Sequence, residues 1–252
     1  MRLEDKVAVV TGGSGDLGFA AASRFVVEGA KVFLVGRNEQ RLHAAVKRLN
    51  TDRAESFAAD VSSAAAVSAY VEAAVRRFGK IDVFFNNAGI EGPNAPITAF
   101  PEDAFDEVMQ VNVKGVFLGM KYAVPHMNDG GSVIISSSIA GLMASGNFVA
   151  YTASKHAVIG IMRDTAVDLA PRRIRVNTVH PGFVKSEMLL RILRRMQPGI
   201  ADEVLLQEFG AKTPLGRCIN ADEIANMVAF LASDESRMIT GQTMVVDAGT
   251  LL

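Results

Sequence analysis

Residues 7–22 read VAVVTGGSGDLGFAAA, and this stretch decides the fold. It begins with four consecutive apolar residues, which indicate a strand buried on both faces, and it ends in an alanine-rich segment that predicts a helix. Between them Gly13, Gly15 and Gly18 have the G-x-G-x-x-G spacing. Glycines permit a tight turn and close backbone approach, and a helix N-terminus presents unpaired N–H groups to phosphate. The strand–turn–helix context favours a dinucleotide-binding turn over a turn with a purely structural role.

The alternation of strand and helix continues along the chain. Short apolar runs that predict strands lie at 7–10, 32–35, 57–59, 81–85, 133–135, 174–179 and 244–246. Segments of helical periodicity lie at 17–28, 39–49, 63–78, 102–126, 151–169 and 221–232. This order predicts a single Rossmann-like α/β domain over 1–252, a doubly wound parallel sheet of about seven strands with helices on both faces. Residues 186–212 interrupt the alternation and are expected to form a substrate-loop insertion.

Composition excludes several classes of function. The chain has 252 residues, 26 basic and 27 acidic, and a net charge of −1, so no overall field attracts nucleic acid or an anionic membrane surface. No apolar segment reaches the ~18–20 residues of a membrane span, and the first apolar run is too short for a signal peptide. The single cysteine, Cys218, forbids an intrachain disulfide, and the four histidines lack metal-ligand spacing. We therefore expect a cytoplasmic globular protein that acts on a small molecule without a metal.

Tyr151 and Lys155 lie four residues apart in a segment of helical periodicity, which places both on one helix face. A lysine ammonium beside a phenol favours the phenolate and is expected to lower the tyrosine pKa towards neutrality. A phenol tuned in this way can exchange protons with an alcohol or a carbonyl oxygen. Alone, the pair is also compatible with an exposed helix face, so its assignment depends on the accompanying motifs.

These motifs resemble those of the short-chain dehydrogenase/reductase family over nearly the whole chain. The matching pieces, in the family's order and spacing, are residues 11–18, 60–61, 86–89, 112, 136–138, 151–155 and 181–182. The resemblance implies that Tyr151 is the general acid/base and that Lys155 lowers its pKa and holds the nicotinamide ribose. It also implies that Ser138, thirteen residues before Tyr151, hydrogen-bonds the substrate oxygen and that Asn112 anchors a proton-relay water.

The resemblance assigns other motifs to an NAD(P) cofactor. Asp60 and Val61 would contact adenine, residues 87–89 would support the central strand and line the adenosine side, and residues 181–186 would flank the nicotinamide. The expected cofactor-binding residues are Gly12, Ser14, Asp16, Leu17, Gly18, Arg37, Asp60, Val61, Asn87, Ala88, Gly89, Tyr151, Lys155, Pro181, Gly182, Val184 and Ser186.

Asp16 departs from the family pattern, which usually has glycine at this position. Aspartate tolerates left-handed backbone better than most residues, so we expect the turn to survive with the carboxylate directed away from pyrophosphate. Singly, the other polar residues also have structural explanations. Asn87 can satisfy backbone groups at a strand end, Asn112 can relieve a helix irregularity, and serines after a strand often cap a loop.

The end of the second strand bears on the choice of cofactor. An acidic residue there would accept hydrogen bonds from the ribose hydroxyls of NAD and repel the 2′-phosphate of NADP. The sequence instead has Gly36 followed by Arg37, whose guanidinium suits a phosphate. In the resembling family this arrangement usually accompanies NADP, so NADP is expected over NAD. The alternative is that Arg37 only faces water at the head of a charged helix.

The leading function is that of an NAD(P)-dependent alcohol dehydrogenase or carbonyl reductase. The alternative from another class is a non-catalytic, cofactor-binding regulator on the same fold, which would not need the complete set Ser138, Tyr151, Lys155 and Asn112. Related epimerases usually carry a larger C-terminal domain, and related dehalogenases lack the glycine turn. The resemblance also implies a homotetramer, and the apolar end Leu251-Leu252 supports this expectation.

Three segments are expected to wall the substrate site: 90–96, 142–148 and the insertion 186–212. A helical apolar stripe in the insertion consists of Met188, Leu189, Ile192, Leu193 and Met196. Arg191, Arg194 and Arg195 lie largely on the opposite face. This pattern predicts a lid helix with its stripe towards the core, and the alternative is an arginine that clamps a substrate carboxylate or phosphate. We expect a neutral, fairly apolar secondary alcohol or its ketone.

Overall fold

A computed structural model covers residues 1–252 and contains a seven-stranded sheet, ordered β3-β2-β1-β4-β5-β6-β7. The strands are Val7–Thr11 (β1), Lys31–Gly36 (β2), Ala54–Ala58 (β3), Ile81–Asn86 (β4), Met127–Ser136 (β5), Arg175–Pro181 (β6) and Thr243–Val246 (β7). All neighbouring strands are parallel. The sheet grows in one direction from β1 to β3 and in the other from β4 to β7. The predicted doubly wound, Rossmann-like sheet is confirmed.

The helices cover both faces of the sheet. They are Asp16–Val27 (α1), Glu39–Leu49 (α2), Ala64–Phe78 (α3), Glu102–Met109 (α4), Gly115–Ala123 (α5), Val149–Asp168 (α6), Glu187–Met196 (α7), Asp202–Gly210 (α8) and Ala221–Ala232 (α9). Residues of α1, α2 and α9 pack in one hydrophobic cluster, and residues of α3, α5 and α6 pack in a second. None of the helices combines the length and the apolar character that crossing a bilayer requires.

The continuously apolar runs form strands because both faces of the sheet are covered. Every residue of β1 and of β6 is buried. The edge strand β3 is different, since only Ala54 in it is buried. Its apolar signal is therefore weak, and the predicted strand at 57–59 lies about three residues too late.

The helix predicted over 102–126 is interrupted. A π-helical turn, Gln110–Lys114, separates α4 from α5, and a 3₁₀ turn follows at Val124–His126. Such turns inside helices are frequent at functional sites, and this one contains Asn112. Gly115 then permits close packing, because a Cβ there would lie 3.0 Å from Cγ2 of Val61.

The insertion forms two helices, α7 and α8, where the sequence predicted one lid helix. The apolar stripe of α7 does not reach the two clusters on the sheet. Leu189 and Leu193 instead pack against Leu205 of α8 in a small cluster of their own, while Met196 is exposed. The prediction that the stripe packs against the core of the sheet is wrong, because Leu189 and Leu193 pack on α8 instead.

Candidate active site

The turn after β1 is closed so tightly that glycine is needed at two positions. Gly12 has φ +65°, and a Cβ on it would lie 2.9 Å from Nδ2 of Asn87. A Cβ on Gly18 would collide with the carbonyl oxygen of Gly12. The first turn of α1 therefore packs directly on the backbone of the loop.

The N-terminus of α1 faces this loop with unpaired amides. The first intrahelical bond runs from the Phe19 N–H to the Gly15 carbonyl at 2.8 Å. The N–H groups of Asp16, Leu17 and Gly18 have no acceptor within the helix. These donors, together with the helix dipole, form an anion site that fits the pyrophosphate of a dinucleotide.

The Asp16 carboxylate is directed at the insertion. Its Oδ2 accepts the backbone N–H of Glu187, in the first turn of α7, at 2.8 Å. An anionic side chain is favourable at that helix end. The negative charge of Asp16 is thereby held at the N-terminus of α7.

Thr11 joins the ends of the two central strands. Its hydroxyl accepts the N–H groups of Asn87 and Ala88 at 2.9 and 3.0 Å, and Asn87 Nδ2 donates to the Thr11 carbonyl at 3.0 Å. This contact gives Asn87 the structural role at a strand end described above. Sequence reasoning did not single out the Thr11 hydroxyl, because nothing local to residue 11 shows that it meets residue 87.

The adenosine-side candidates are arranged around the ends of β2 and β3. Asp60 Oδ1 accepts both the N–H and the hydroxyl of Ser62 at 2.9 and 2.7 Å, and these bonds lower the pKa of its carboxyl. Val61 is buried. Arg37 is exposed and has no ion pair, while an Nη atom of Arg41 donates to the Ser14 carbonyl at 3.3 Å.

Lys155 lies on α6, the helix that also carries Tyr151, and its side chain is buried. Its Nζ donates to the Ser136 carbonyl at 2.8 Å and lies 5.4 Å from the centre of the Tyr151 ring. Burial lowers the pKa of Lys155 to about 8. Gly89 keeps this region open, because a Cβ on it would lie 3.5 Å from Nζ and 3.2 Å from Oδ1 of Asn112.

The electrostatics of Tyr151 differ from the expectation. Removal of the phenol from water raises the pKa of Tyr151 to about 12, a hydrogen bond with the Ser138 side chain opposes this shift, and the charge of Glu91 adds to it. The expected lowering of this pKa towards neutrality is not found in this structure, because burial of the phenol is the largest influence on it. The phenol therefore keeps its proton at neutral pH.

Asn112 and His180 hold the loops that carry the candidate catalytic groups. Asn112 accepts the Ile90 N–H and donates to the Ile90 carbonyl, both at 2.9 Å, and also donates to Ser154 Oγ at 3.0 Å. His180 contacts the Ser138 carbonyl through Nδ1 at 2.8 Å, and burial lowers its pKa. Because a carbonyl only accepts, the neutral His180 carries its proton on Nδ1 and fixes the backbone of Ser138.

The segment after β6 leads from the sheet to the insertion. A Cβ on Gly182 would lie 2.8 Å from Cα of Asp247, so Pro181-Gly182 packs closely on the chain after β7. Val184 is buried in a single parallel bridge to Ile219. Ser186 caps α7 by accepting the Leu189 N–H at 3.3 Å.

Two of the three segments expected at the substrate site are joined directly. The Ala95 N–H donates to the Asn147 carbonyl at 2.9 Å, which joins the loops 90–96 and 142–148. A cleft of ≈ 810 Å³ lies between the first of these loops, the start of α4, and α7. Glu91, buried in its wall, accepts two hydrogen bonds from Arg191 at 3.0 and 3.2 Å. The spacing between residues 91 and 191 carries no sequence signal for this pair.

Comparisons with known proteins give matches over nearly the whole chain. A family model described as enoyl-(acyl carrier protein) reductase matches residues 13–250. Levodione reductase of Leifsonia aquatica is 38% identical over 98% of this chain and 95% of its own length. The chain belongs to the short-chain dehydrogenase/reductase family.

Two further relatives of this family extend the comparison. Trans-4-hydroxycyclohexanecarboxylate dehydrogenase of Sinomonas cyclohexanicum is 37% identical over 98% of this chain and 93% of its own. The crystal structure of NAD⁺-bound xylitol dehydrogenase superposes with a TM-score of 0.92 at 34% identity, covering 99% of this chain and 100% of that one. As a member of this family, the chain is an NAD(P)-dependent oxidoreductase of the alcohol dehydrogenase and carbonyl reductase type.

Proposed function

We propose that this enzyme interconverts a neutral, largely apolar secondary alcohol and its ketone with NADP(H), using Tyr151 as the proton-transfer group. The observation that carries the proposal is the meeting of Tyr151, Ser138 and the buried Lys155, whose ammonium lies next to Gly89. A regulator that only binds a cofactor has no use for the complete proton-transfer set of Ser138, Tyr151, Lys155 and Asn112.

The cofactor fits the turn described above. The free N–H groups of Asp16, Leu17 and Gly18 would hold its pyrophosphate, and Lys155 would hold the ribose next to the nicotinamide. When bound, the nicotinamide supplies the carbon that gives or takes the hydride.

Side chains of the protein transfer the proton and stabilise the charges that result. In the direction of reduction, the protonated phenol of Tyr151 donates its proton to the carbonyl oxygen, and Ser138 donates a hydrogen bond to the same oxygen. Asn112 keeps Ile90 and Ser154 in place around this group. Lys155 stabilises the phenolate that remains, because an ammonium nearby favours the negative form.

The cleft beside α7, whose lining does not include Tyr151 or Ser138, carries charges that argue against an anionic ligand. Its lining includes the three carboxylates Glu91, Asp103 and Glu107, against the two guanidinium groups of Arg191 and Arg195. Arg191 is engaged by Glu91, and Arg194 is engaged by Asp202 and Glu187. An anionic substrate would have to displace these ion pairs, which argues against the arginine clamp.

Two guanidinium groups near the end of β2 favour NADP over NAD. Arg37 has no ion pair, and Arg41 donates a hydrogen bond to the Ser14 carbonyl. A 2′-phosphate is suited to this environment. The NAD⁺ in the xylitol dehydrogenase structure belongs to that protein and supports the opposite preference. A direct comparison of the two cofactors is therefore the decisive measurement.

The first test replaces Tyr151 by phenylalanine. We expect turnover to fall by about 10²–10⁴-fold, because only the proton donor is removed, while cofactor affinity stays nearly unchanged. The matched control is Tyr122→Phe on α5, which lies outside the site. Steady-state assays against a panel of alcohols and ketones give the result, and more than a tenth of the parent activity in Tyr151→Phe would exclude Tyr151 as the donor.

The second test replaces Gly36 by aspartate. A Cβ on Gly36 has only ordinary contacts, the nearest at 3.6 Å to Leu42, so the change is tolerated sterically. The added carboxylate is expected to shift the ratio of kcat/KM from NADPH towards NADH by repelling the 2′-phosphate. A higher kcat/KM with NADH in the unmodified enzyme would contradict the assignment of Arg37.

We also propose a cytoplasmic homotetramer. Large apolar side chains remain exposed on α5 and α6 and at the chain end, with Phe117 at 52%, Val167 at 75% and Leu252 fully exposed. Burial of such surface between subunits is favourable. Sedimentation is expected to give a mass of about four chains, and a solution mass of 26.9 kDa, that of one chain, would rule out the assembly.

A further inference from the structure

Asp16 departs from the glycine that the family usually has at this position, and the structure shows what the side chain does there. Asp16 is the first residue of α1, and its φ is not positive, so the backbone at this position does not need glycine. Its exposed carboxylate leaves the loop and accepts the Glu187 N–H at 2.8 Å, although 171 residues separate the two in the sequence. A glycine at this position has no atom that can make this bond.

The N-terminus of α7 depends on Asp16 for one of its hydrogen bonds. Glu187 is the first residue of α7, so its N–H has no acceptor within the helix. The N-cap residue Ser186 serves other amides, because its hydroxyl accepts the Leu189 N–H and its carbonyl accepts the Leu190 N–H. Asp16 therefore caps α7 from a different part of the fold. Its negative charge also faces the positive end of the helix dipole, which strengthens the bond.

Helix α7 contacts a second part of the enzyme along its other half. Arg191 binds Glu91 at 3.0 and 3.2 Å, and an Nη atom of Arg195 reaches the Gly92 carbonyl at 3.3 Å. The buried apolar residues of α7 pack on α8, in a cluster separate from the two clusters on the sheet. Polar contacts thus hold α7 on the loop 90–96 at one side and, through Asp16, on the glycine turn at the other.

We propose that Asp16 is a positioning residue that fixes the N-terminus of α7 on the glycine turn and thereby slows the release of the cofactor from that turn. The inference rests on the proposed function, in which the N–H groups at the start of α1 hold the pyrophosphate and residues 181–186, which lead directly into α7, flank the nicotinamide. Asp16 then presents its N–H to the cofactor and its carboxylate to α7. This bond has to break before α7 moves away from the turn.

The direct test is hydrogen exchange of α7, followed by mass spectrometry in the enzyme without cofactor. Asp16→Ala removes the acceptor, and Glu187→Pro removes the donor without a change in the glycine turn. Proline suits the first position of a helix, and Ser186 before it is extended, with φ −148° and ψ 159°, as proline requires.

In each of these two variants we expect the amides of residues 190–196 to exchange about tenfold faster, the factor expected from the loss of a hydrogen bond to a charged group. The double variant is expected to exchange no faster than either single variant, because both substitutions remove the same bond. Faster exchange confined to residue 187, or additive effects in the double variant, would overturn the proposal.

Two matched controls separate the hydrogen bond from charge and from side-chain contacts. Asp16→Asn removes the charge but keeps an acceptor, so most of the protection of α7 should remain. Glu187→Ala removes the carboxylate that pairs with Arg194 at 2.8 Å but keeps the N–H, so α7 should exchange at nearly the parent rate. Exchange in Glu187→Ala as fast as in Glu187→Pro would assign the effect to the side chain and contradict the role of Asp16.

The release of NADPH, or of NADH, provides the functional readout. Its rate constant is measured by stopped-flow fluorescence, with excess oxidised cofactor to prevent rebinding. We expect the rate constant to be about tenfold higher in Asp16→Ala than in Asp16→Asn, by the same factor as the exchange of α7. Both variants lack the carboxylate, so the effect of its charge on the pyrophosphate is the same in the two. Equal rates of release would refute the control of cofactor release.

The two hypotheses fail separately, because hydrogen exchange needs neither cofactor nor turnover. If neither NADPH nor NADH binds to the parent enzyme while the exchange of α7 responds as described, the proposed function is wrong and the positioning of α7 by Asp16 stands. If the cofactor binds and the exchange of α7 is the same in all variants, the positioning role is wrong and the proposed function stands.

Discussion

The hydrogen bonds of Thr11 with Asn87 and Ala88 are the constraint on which the site depends. Parallel strands end at one edge of a sheet, and here the connections from β1 and β4 leave in opposite directions. A crevice therefore opens between the two strand ends, the usual place for a ligand in such sheets. The Thr11 hydroxyl fixes the width of this crevice by accepting two backbone N–H groups from the far side. The glycine turn after β1 and Gly89 after β4 are thereby held at a fixed separation across the crevice.

Hydrogen bonds of Asn112 and Lys155 connect the loops next to this junction with the helix that carries the catalytic groups. Asn112 joins the backbone after β4 to Ser154 on α6, and Lys155 joins α6 to the end of β5. Each link uses a buried polar group, and each such group requires a partner because water is excluded. The site is therefore rigid at the cost of a buried ammonium, whose pKa is lowered to about 8. Burial of the Lys155 charge lowers the stability of the fold, and the proposed proton transfer needs that charge.

Sequence patterns predicted the sheet well where strands are buried on both faces, as in β1 and β6. They placed β3 less accurately, because an edge strand exposes most of its side chains. A helix irregularity at Asn112 was one reading of the sequence, but its π-helical form was not predicted, and the partners of Asn112 lie on a loop and on α6 that are distant in the sequence. The Glu91–Arg191 pair was missed for the same reason, and the pKa of Tyr151 depends on burial that spacing alone does not give.

The most direct test of this account is a calorimetric titration of Thr11→Val with NADPH. Each amide that loses its acceptor is expected to destabilise the native junction by about 1–3 kcal/mol. Because the cofactor requires the native junction, a share of about 1.4 kcal/mol of this cost in the bound geometry raises the dissociation constant tenfold. The far-UV circular dichroism should show the sheet retained, and Thr98→Val, an exposed threonine, should bind like the parent. An unchanged dissociation constant in folded Thr11→Val would contradict the claim that the junction between β1 and β4 supports the cofactor site.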